Sequence, residues 1–342
     1  MKIGLNGTGL TARAILKLAM TIDEFKEIEI VHVNGRGMSL SALRDRMLYS
    51  TSQRHSGISA EIDEKGGELI LNGHRIKYSR ESAPEQIPWV NGIELVIDST
   101  GIFRDKSKEN KNPYRHFKGT AKGLRGVVIS APGKGGIDDF MWVASPTLKE
   151  DLQALVVKEE PFVIGGASCT TTATVPIIDT LDEAFGVESC FLTTIHAATR
   201  SQDLLDGSKG WSAFDTQLHT TGATKSTNRV LKKKIPMDGI AYRTSDKDGS
   251  FVQIDCLLKQ EATKEAILAA FKESKYAPYI SYPKVSSPPS SYIRGDHNMV
   301  MLLPDEIVII NKKRAIVKGL YDNEEGYAAH FLRLVKYLAS IM

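Results

Sequence analysis

The residues best suited to chemistry in this sequence are Cys169 and His196. Cys169 follows Ser168, a preferred helix N-cap residue, and precedes a run of three threonines. A thiol in the first turn of a helix lies near unpaired backbone N–H groups and the positive end of the helix dipole, so this position favours the thiolate. His196 supplies an imidazole that can act as a base. The pair indicates nucleophilic catalysis, and the alternative is a small, buried structural cysteine.

Two elements must position this pair. Apolar residues at near-helical spacing between Val175 and Phe185 predict a helix that begins at Cys169. Pro176 removes one hydrogen bond within that helix and favours a kink. The run from Ser189 to Ile195 predicts a strand that leads directly to His196.

A second candidate site lies at the N-terminus of the chain. A short apolar strand, Lys2 to Leu5, is followed by a G-x-G-x-x-A turn from Gly7 to Ala12 and by a predicted helix that extends to Met20. In such a turn the first glycine permits the tight bend and the second lets a pyrophosphate approach the backbone. The context of strand, turn and helix predicts dinucleotide binding, and a glycine-rich turn without a ligand is the alternative.

The next strand, Ile28 to Val33, carries information on the coenzyme. An NAD-binding unit usually has an acidic residue near the end of this strand to hold the ribose 2′-hydroxyl. Here Gly35 offers no carboxylate and Arg36 offers a cation, which suits a 2′-phosphate. We therefore expect NADP in preference to NAD, with an unliganded surface arginine as the alternative. A third strand runs into Ser99-Thr100-Gly101, where a dinucleotide can rest.

Composition limits the class of protein. The chain has 342 residues, 25% charged residues and a net charge of +3, typical of a globular protein with two domains and too mild to indicate nucleic acid. Three widely spaced cysteines fit a reducing compartment, and no apolar run is long enough to span a membrane, so a cytoplasmic location is expected. The eight lysines and arginines between Arg104 and Arg125 indicate a solvated helix face, with a nucleic-acid patch as the alternative. The eight histidines show no metal-ligand spacing, and no metal is expected.

Several sequence words, in order, resemble the phosphorylating glyceraldehyde-3-phosphate dehydrogenase family, as a divergent member. They are K-I-G-L-N-G-T-G at the N-terminus, I-P-W at 87–89, S-T-G at 99–101, S-A-P at 130–132, A-S-C-T-T at 167–171, H-A-x-T at 196–199, T-G-A-x-K at 221–225 and Y-D-N-E-x-G-Y at 321–327. The resemblance covers nearly the whole chain. It implies an α/β protein with an N-terminal Rossmann-type, doubly wound parallel sheet and an α+β catalytic domain with a mainly antiparallel sheet. The dinucleotide-binding domain is expected at residues 1–168 and 323–342, and the catalytic domain at 169–322.

The resemblance also implies roles for individual residues. Cys169 would be the nucleophile and His196 its base and later its acid. The substrate phosphate and the attacking phosphate would be held by Ser168, Thr170, Thr199, Thr221, Gly222 and Arg243. The coenzyme would be bound by Asn6, Gly7, Thr8, Gly9, Leu10, Thr11, Asn34, Gly35, Arg36, Ser99, Thr100, Gly101, Ser130, Asn323 and Tyr327.

The expected reaction is the reversible, phosphorylating oxidation of glyceraldehyde 3-phosphate to 1,3-bisphosphoglycerate in glucose metabolism. It passes through a cysteine thiohemiacetal and thioester, and hydride is transferred to NADP or NAD. The partners would be a phospho-aldehyde, inorganic phosphate and further copies of the chain in a homotetramer. Erythrose 4-phosphate or another phospho-aldehyde is an alternative substrate, and a catalytically impaired binding or regulatory paralogue is an alternative function. A serine hydrolase is excluded because the chain has no G-x-S-x-G motif.

Overall fold

The chain forms two compact units in the computed structural model. The structure describes residues 1–50, 57–140, 146–158, 160–199, 202–206, 211–231 and 233–342. The first unit contains Met1–Ala167 and Ala328–Met342, and the second contains Ser168–Tyr327. We call the first the N-terminal unit and the second, after the reaction expected of Cys169 and His196, the catalytic unit.

The N-terminal unit has the elements β1 (Lys2–Asn6), α1 (Leu10–Thr21), β2 (Glu29–Asn34), α2 (Leu40–Leu48), β3 (Ala60–Asp63), β4 (Glu68–Leu71), β5 (His74–Ser79), β6 (Ile93–Asp98), β7 (Gly126–Ile129), α3 (Pro146–Val156) and β8 (Phe162–Gly165). The catalytic unit has α4 (Cys169–Phe185), β9 (Val187–His196), β10 (Gln217–Thr220), α5 (Ala223–Val230), β11 (Met237–Arg243), β12 (Ser250–Leu258), α6 (Lys264–Glu273), β13 (Ile280–Ser281), β14 (Val300–Leu302), β15 (Val308–Ile310) and β16 (Arg314–Tyr321). The last helix, α7 (Glu325–Ile341), begins in the catalytic unit and continues into the N-terminal unit.

A mainly parallel sheet forms the centre of the N-terminal unit. Its strand order is β3-β4-β5-β2-β1-β6-β7-β8, and the six strands from β5 to β8 in this order run parallel. The edge strands β3 and β4 are antiparallel. Every residue of β7 and β8 is buried, as is typical of strands covered on both faces. The expected Rossmann-type α/β fold is confirmed.

Polar side chains join the carboxyl ends of three neighbouring strands in this sheet. Asn34 at the end of β2 donates to Asn6 Oδ1 at the end of β1 (2.8 Å), and Asn6 Nδ2 donates to Asp98 Oδ2 at the end of β6 (2.9 Å). The Asn34 Oδ1 atom accepts hydrogen bonds from Ser79 Oγ (2.9 Å) and from the Glu81 backbone N–H (2.8 Å). Asn6, Asn34 and Asp98 are almost completely buried, so these amides and this carboxylate find their partners inside the protein.

The catalytic unit is built on a mainly antiparallel sheet, as expected. Its strand order is β10-β11-β9-β12-β16-β14-β13, with β15 paired to β16. The pairs β11–β9 and β13–β14 are parallel, and the remaining pairs are antiparallel. His196 and Arg243 end the parallel strands β9 and β11 and are directly paired in register. Tyr321 at the end of β16 is paired with Ser250 at the start of β12, so the same end of the sheet presents all four residues.

Two local predictions about helices have different outcomes. The helix predicted to start at Cys169 is confirmed, and α4 continues through Pro176 to Phe185 before Gly186 ends it with φ = 68°. The helix face predicted for the basic run is wrong, because the described chain there forms only short 3₁₀ turns at Glu109–Lys111 and Pro113–Lys118. Each of these turns ends at a residue with extended backbone, Asn112 and Gly119, and the interruption prevents an α-helix from continuing.

Replacing Asn34 should destabilise the N-terminal unit. Asn34→Ala would leave the buried Asn6 Oδ1 without its donor and would remove the hydrogen bonds with Ser79 and Glu81, at a cost of about 2–4 kcal/mol in the free energy of unfolding. Urea unfolding followed by circular dichroism measures this loss. The exposed turn residue Asn91 provides the control, since Asn91→Ala should change stability by less than about 0.5 kcal/mol. Equal unfolding midpoints for the two variants would contradict the structural role of this network.

Candidate active site

The sulfur of Cys169 lies at a capped helix start. Ser168 is the N-cap of α4, and its Oγ accepts a hydrogen bond from the Thr171 N–H (3.2 Å). The preceding residue, Ala167, has φ = 52°, a left-handed conformation that is rare outside glycine and turns the chain sharply into the helix. Cys169 is half-buried and is not part of a disulfide. The local sequence therefore places a free thiol in the first turn, as predicted.

His196 faces this thiol. Its Nε2 lies 3.4 Å from Cys169 Sγ, and its Nδ1 lies 2.7 Å from the backbone oxygen of Ala197. A carbonyl oxygen only accepts, so Nδ1 carries the proton and the Nε2 of the neutral ring presents its lone pair to the S–H group. Burial, followed by the positive charge of Arg243, lowers the pKa of His196 to about 4, so the ring is neutral near pH 7. The geometry suits an imidazole that accepts the thiol proton.

The protonation state of Cys169 differs from the sequence expectation. Burial raises the pKa of the thiol, and this effect outweighs the lowering by Arg243 and by hydrogen bonds with Thr170 and the first-turn backbone. The surroundings of the sulfur therefore act against the expected thiolate, while Arg243 and the helix start act for it. The helix start and the guanidinium act in the expected direction, but the sequence could not show how much water the fold removes from the sulfur.

Arg243 is the cation of this site. It is paired with His196 in the register of β9 and β11, and its charge lowers the pKa of both the imidazole and the thiol. Its buried Nη1 has no hydrogen-bond partner among the described residues. A buried guanidinium N–H without a partner is costly, and an anionic substrate group would satisfy it.

The sequence analysis missed a cluster of three hydroxyl groups, which belong to Thr170, Thr194 and Tyr321. Tyr321 Oη lies 3.0 Å from Thr170 Oγ1 and 2.8 Å from Thr194 Oγ1, and the Tyr321 side chain is buried. The Thr170 hydroxyl is thus hydrogen-bonded inside the unit. The residue alternation in β9, which points Thr194 inward, was the available signal for this cluster.

The other expected phosphate residues flank the same strands. The Thr199 N–H donates to Gln202 Oε1 (2.9 Å) in the chain that follows His196. Thr221 Oγ1 accepts from the Ala223 N–H (3.1 Å), and the exposed Gly222 is the N-cap of α5. Because β10 runs antiparallel to β11, with Thr220 opposite Ile240, Thr221 does not lie opposite Arg243 at the strand end.

In the N-terminal unit, the glycine-rich turn has the geometry that a pyrophosphate requires. Gly7 has φ = 128°, and a Cβ at this position would lie 2.8 Å from the backbone of Ser99. Gly9 is the N-cap of α1, and no atom lies within 4 Å of the position its Cβ would occupy. The helix start is followed by Leu10 and Thr11, which are partly exposed like Thr8. Space beside a helix N-terminus fits a dinucleotide phosphate.

The residues at the ends of the neighbouring strands divide into two groups. The side chains of Asn6 and Asn34 are held in the buried network, so they position strand ends and do not project toward a ligand. The loop residues Ser99, Thr100 and Gly101 are accessible to different degrees, and Ser130 Oγ donates to Ser99 Oγ (2.8 Å). Sequence spacing identified both groups but could not separate them, because both follow a buried strand.

The last expected coenzyme residues lie in the catalytic unit. Asn323 Oδ1 accepts hydrogen bonds from the Gly249 N–H (3.1 Å) and Ser250 Oγ (3.0 Å), which leaves the amide NH₂ as the group that can donate to a ligand. Tyr327 is buried in the first turn of α7. Nearby, burial and the carboxylates of Asp322 and Glu324 raise the pKa of Asp248 to about 8, a cluster that the sequence did not reveal.

Comparison with known proteins agrees with this geometry. A family model described as "Glyceraldehyde 3-phosphate dehydrogenase, NAD binding domain" matches residues 1–106, and one described as "Glyceraldehyde 3-phosphate dehydrogenase, C-terminal domain" matches residues 168–320. Curated relatives named glyceraldehyde-3-phosphate dehydrogenase are 31% identical in Clostridium acetobutylicum and 30% identical in Schizosaccharomyces pombe. Each alignment covers 99% of this chain, and they cover 99% and 98% of the relative, respectively. The chain belongs to the glyceraldehyde-3-phosphate dehydrogenase family.

Membership of the glyceraldehyde-3-phosphate dehydrogenase family makes this chain an oxidoreductase of the dehydrogenase type with a domain that binds a nicotinamide dinucleotide. Among the described residues, no helix is long and apolar enough to cross a membrane. The described part of the chain also contains no group of three His, Cys, Asp or Glu residues that could hold a metal ion.

Removing the charge of Arg243 should make Cys169 less reactive. In Arg243→Gln the thiol loses the cation that lowers its pKa, so the rate of alkylation by iodoacetamide at pH 8 should fall about tenfold. Mass spectrometry of the labelled Cys169 peptide measures the rate. Arg314→Gln, at the opposite end of the same sheet, is the matched control and should label at the wild-type rate. An equal rate in all three proteins would show that Arg243 does not act on the sulfur.

Proposed function

We propose that this chain catalyses the phosphorylating oxidation of glyceraldehyde 3-phosphate to 1,3-bisphosphoglycerate, with NADP⁺ preferred to NAD⁺. The observation that carries the proposal is the contact of 3.4 Å between Cys169 Sγ and the unprotonated Nε2 of His196. An intact pair of this kind disfavours the alternative of an impaired binding paralogue.

In the first stage the thiol adds to the aldehyde. Cys169 Sγ attacks the carbonyl carbon while His196 Nε2 takes the thiol proton, and the same proton then passes to the former carbonyl oxygen. The product is a thiohemiacetal on Cys169 with a hydroxyl group beside His196. The low pKa of His196 makes it a ready proton donor once it has been protonated.

In the second stage the thiohemiacetal becomes a thioester and is then cleaved. A bound nicotinamide dinucleotide supplies the acceptor for the hydride that leaves the thiohemiacetal carbon. His196 Nε2 receives the proton of the hydroxyl group at the same time. An oxygen of inorganic phosphate then attacks the thioester carbon, the C–S bond breaks, and the sulfur regains its proton from His196.

The anionic groups of the reactants need donors, and the catalytic unit supplies them. We assign the unpartnered Nη1 of Arg243, together with Thr199, to the phosphate of the substrate. Ser168, Thr221 and Gly222 are assigned to the attacking phosphate. We place Thr170 differently, as a residue that hydrogen-bonds the sulfur and Tyr321 and so positions the nucleophile.

The coenzyme proposal rests on the glycine-rich turn and on Arg36. The turn of Gly7 and Gly9 would take the pyrophosphate, and Ser99, Thr100 and Gly101 would lie along it. Arg36 is exposed and has no hydrogen bond or ion pair to any described residue, so its guanidinium is available for a 2′-phosphate. Asn323 would donate to the nicotinamide carboxamide, with Tyr327 beside it.

We further propose a homo-oligomer, a tetramer by family resemblance, in the cytoplasm. Large apolar side chains on one face of the catalytic sheet are 39–46% exposed, and they are Phe191, Ile195, Tyr242 and Leu257. Ile195 and Tyr242 are paired across β9 and β11, which makes this an apolar patch of the kind that mediates association.

Cys169→Ser should abolish turnover and leave coenzyme binding intact. A serine hydroxyl is a far weaker nucleophile than a thiol beside the same imidazole, so kcat should fall by more than about 10³-fold. Steady-state kinetics measures the loss, and fluorescence titration measures coenzyme binding. Cys190→Ser at a buried strand position is the control and should retain activity within a few-fold. Activity of Cys169→Ser near the wild-type level would refute the nucleophile.

Substrate and coenzyme choice can be read from one set of assays. With inorganic phosphate present, kcat/KM for glyceraldehyde 3-phosphate should be higher with NADP⁺ than with NAD⁺, because Arg36 pairs with the 2′-phosphate. Erythrose 4-phosphate is assayed in parallel as the competing substrate. Equal or higher efficiency with NAD⁺ would contradict the role of Arg36, and higher efficiency with erythrose 4-phosphate would replace the proposed substrate.

A further inference from the structure

The end of β2 has no room for a side chain at position 35. Gly35 is buried, and a Cβ built on it would lie 2.3 Å from Tyr78 Oη and 2.6 Å from Thr8 Cγ2. Real Cβ atoms do not approach other atoms so closely. Gly35 has an ordinary negative φ, so space and not backbone conformation is what requires glycine here.

Tyr78 is held firmly in this space. It lies on β5 opposite Val33 of β2, and its Oη is 2.7 Å from the Met38 carbonyl oxygen and 3.2 Å from the Gly35 carbonyl oxygen. Both partners are acceptors, so the phenol is the donor, and burial raises its pKa to about 12. The turn itself is closed by a hydrogen bond from the Met38 N–H to the Gly35 carbonyl oxygen (3.2 Å). The hydroxyl of Tyr78 therefore ties together both ends of the turn that carries Arg36.

Position 35 is where a dinucleotide-binding unit that selects a free ribose 2′-hydroxyl would carry a carboxylate. A carboxylate there would also repel a 2′-phosphate, so its absence matters as much as the presence of a cation. In this chain the Tyr78 hydroxyl fills the volume through which that side chain would have to pass. The neighbouring Gly37 is different, since no atom lies within 4 Å of its Cβ position.

We propose that Tyr78 is a specificity-determining residue for the coenzyme: its hydroxyl excludes an acidic side chain from position 35 and fixes the turn that presents Arg36. This inference rests on the proposed use of NADP⁺. It predicts that a change of selectivity at position 35 needs a simultaneous change at Tyr78 and at the Thr8 methyl group.

Four variants of the full-length chain test the coupling. They are Gly35→Asp, the double variant Tyr78→Phe/Thr8→Ser, the triple variant that combines all three changes, and the control Gly37→Asp. The double variant removes the two crowding atoms and leaves the ring, whose Cζ is 3.1 Å from the Cβ position. Dissociation constants for NADP⁺ and NAD⁺ are measured by calorimetry, and thermal unfolding reports on stability.

Gly35→Asp should lower Tm by at least about 3 °C and weaken the binding of both coenzymes about tenfold, because Tyr78 must leave its place. Gly37→Asp should keep the wild-type Tm, since it adds the same charge in open space. The triple variant should have the same Tm as the double variant. Relative to the double variant, its preference for NAD⁺ over NADP⁺, measured as the ratio of the two dissociation constants, should rise at least about tenfold. If Gly35→Asp does not fold, Gly35→Ala with and without the double change gives the same comparison of Tm.

Two results would overturn the proposal. One is Gly35→Asp with an unchanged Tm and the same selectivity as the triple variant, because Tyr78 would then exclude nothing. The other is a folded triple variant whose coenzyme ratio equals that of the double variant. A wild-type protein that binds NAD⁺ more tightly would contradict the proposed coenzyme preference alone, since the coupling is read from ratios between variants.

Discussion

A single hydrogen bond decides what His196 can do. The Nδ1–H group donates to the Ala197 carbonyl oxygen, so the lone pair on Nε2 faces the sulfur of Cys169. The end of β9 places the imidazole, and the capped start of α4 places the sulfur. Burial, followed by the charge of Arg243, keeps the imidazole neutral, and Arg243 also lowers the pKa of the thiol. The catalytic unit therefore holds a thiol beside an unprotonated imidazole nitrogen, which can take the thiol proton when the sulfur attacks a substrate.

The N-terminal unit applies a different constraint at its strand ends. Parallel strands bring their carboxyl ends to one edge of the sheet. Polar groups beyond that edge cannot form hydrogen bonds between strands, so they need other partners. The side chains of Asn6, Asn34 and Asp98 form hydrogen bonds with one another. The glycine-rich turn and the Gly35–Met38 turn are therefore not needed as partners for these buried groups. The residues available to a ligand are consequently the small and exposed ones in these turns. The buried polar side chains thus fix the strand ends from which the binding turns extend.

The family resemblance implied the fold class, and local periodicity and capping predicted the helix that begins at Cys169 and the strand that leads to His196. The sequence does not show what depends on packing. Burial acts against the thiolate expected at Cys169, the Thr170 hydroxyl is hydrogen-bonded to Tyr321, and the side chains of Asn6 and Asn34 are held in a buried network. Contacts across more than a hundred residues, such as Thr170 with Tyr321, leave no trace in spacing. The sequence showed that position 35 lacks a carboxylate, but the crowding of that position by Tyr78 comes from another strand and could not be read from spacing.

The discontinuity of the N-terminal unit has a consequence for biosynthesis. Helix α7 returns to this unit, where Arg333 forms hydrogen bonds with both carboxylate oxygens of Glu24 (2.7 and 2.8 Å) and Arg125 donates to the terminal Met342. A Cβ on Gly166 would lie 2.6 Å from the ring of Phe331, so that ring fills the surface of the sheet at this point. On a ribosome the strands of the N-terminal unit are made before α7, so this surface is covered only after the whole catalytic unit has been synthesised. The catalytic unit is one uninterrupted stretch of chain and can complete its core earlier, so nascent chains would mature from the middle outward.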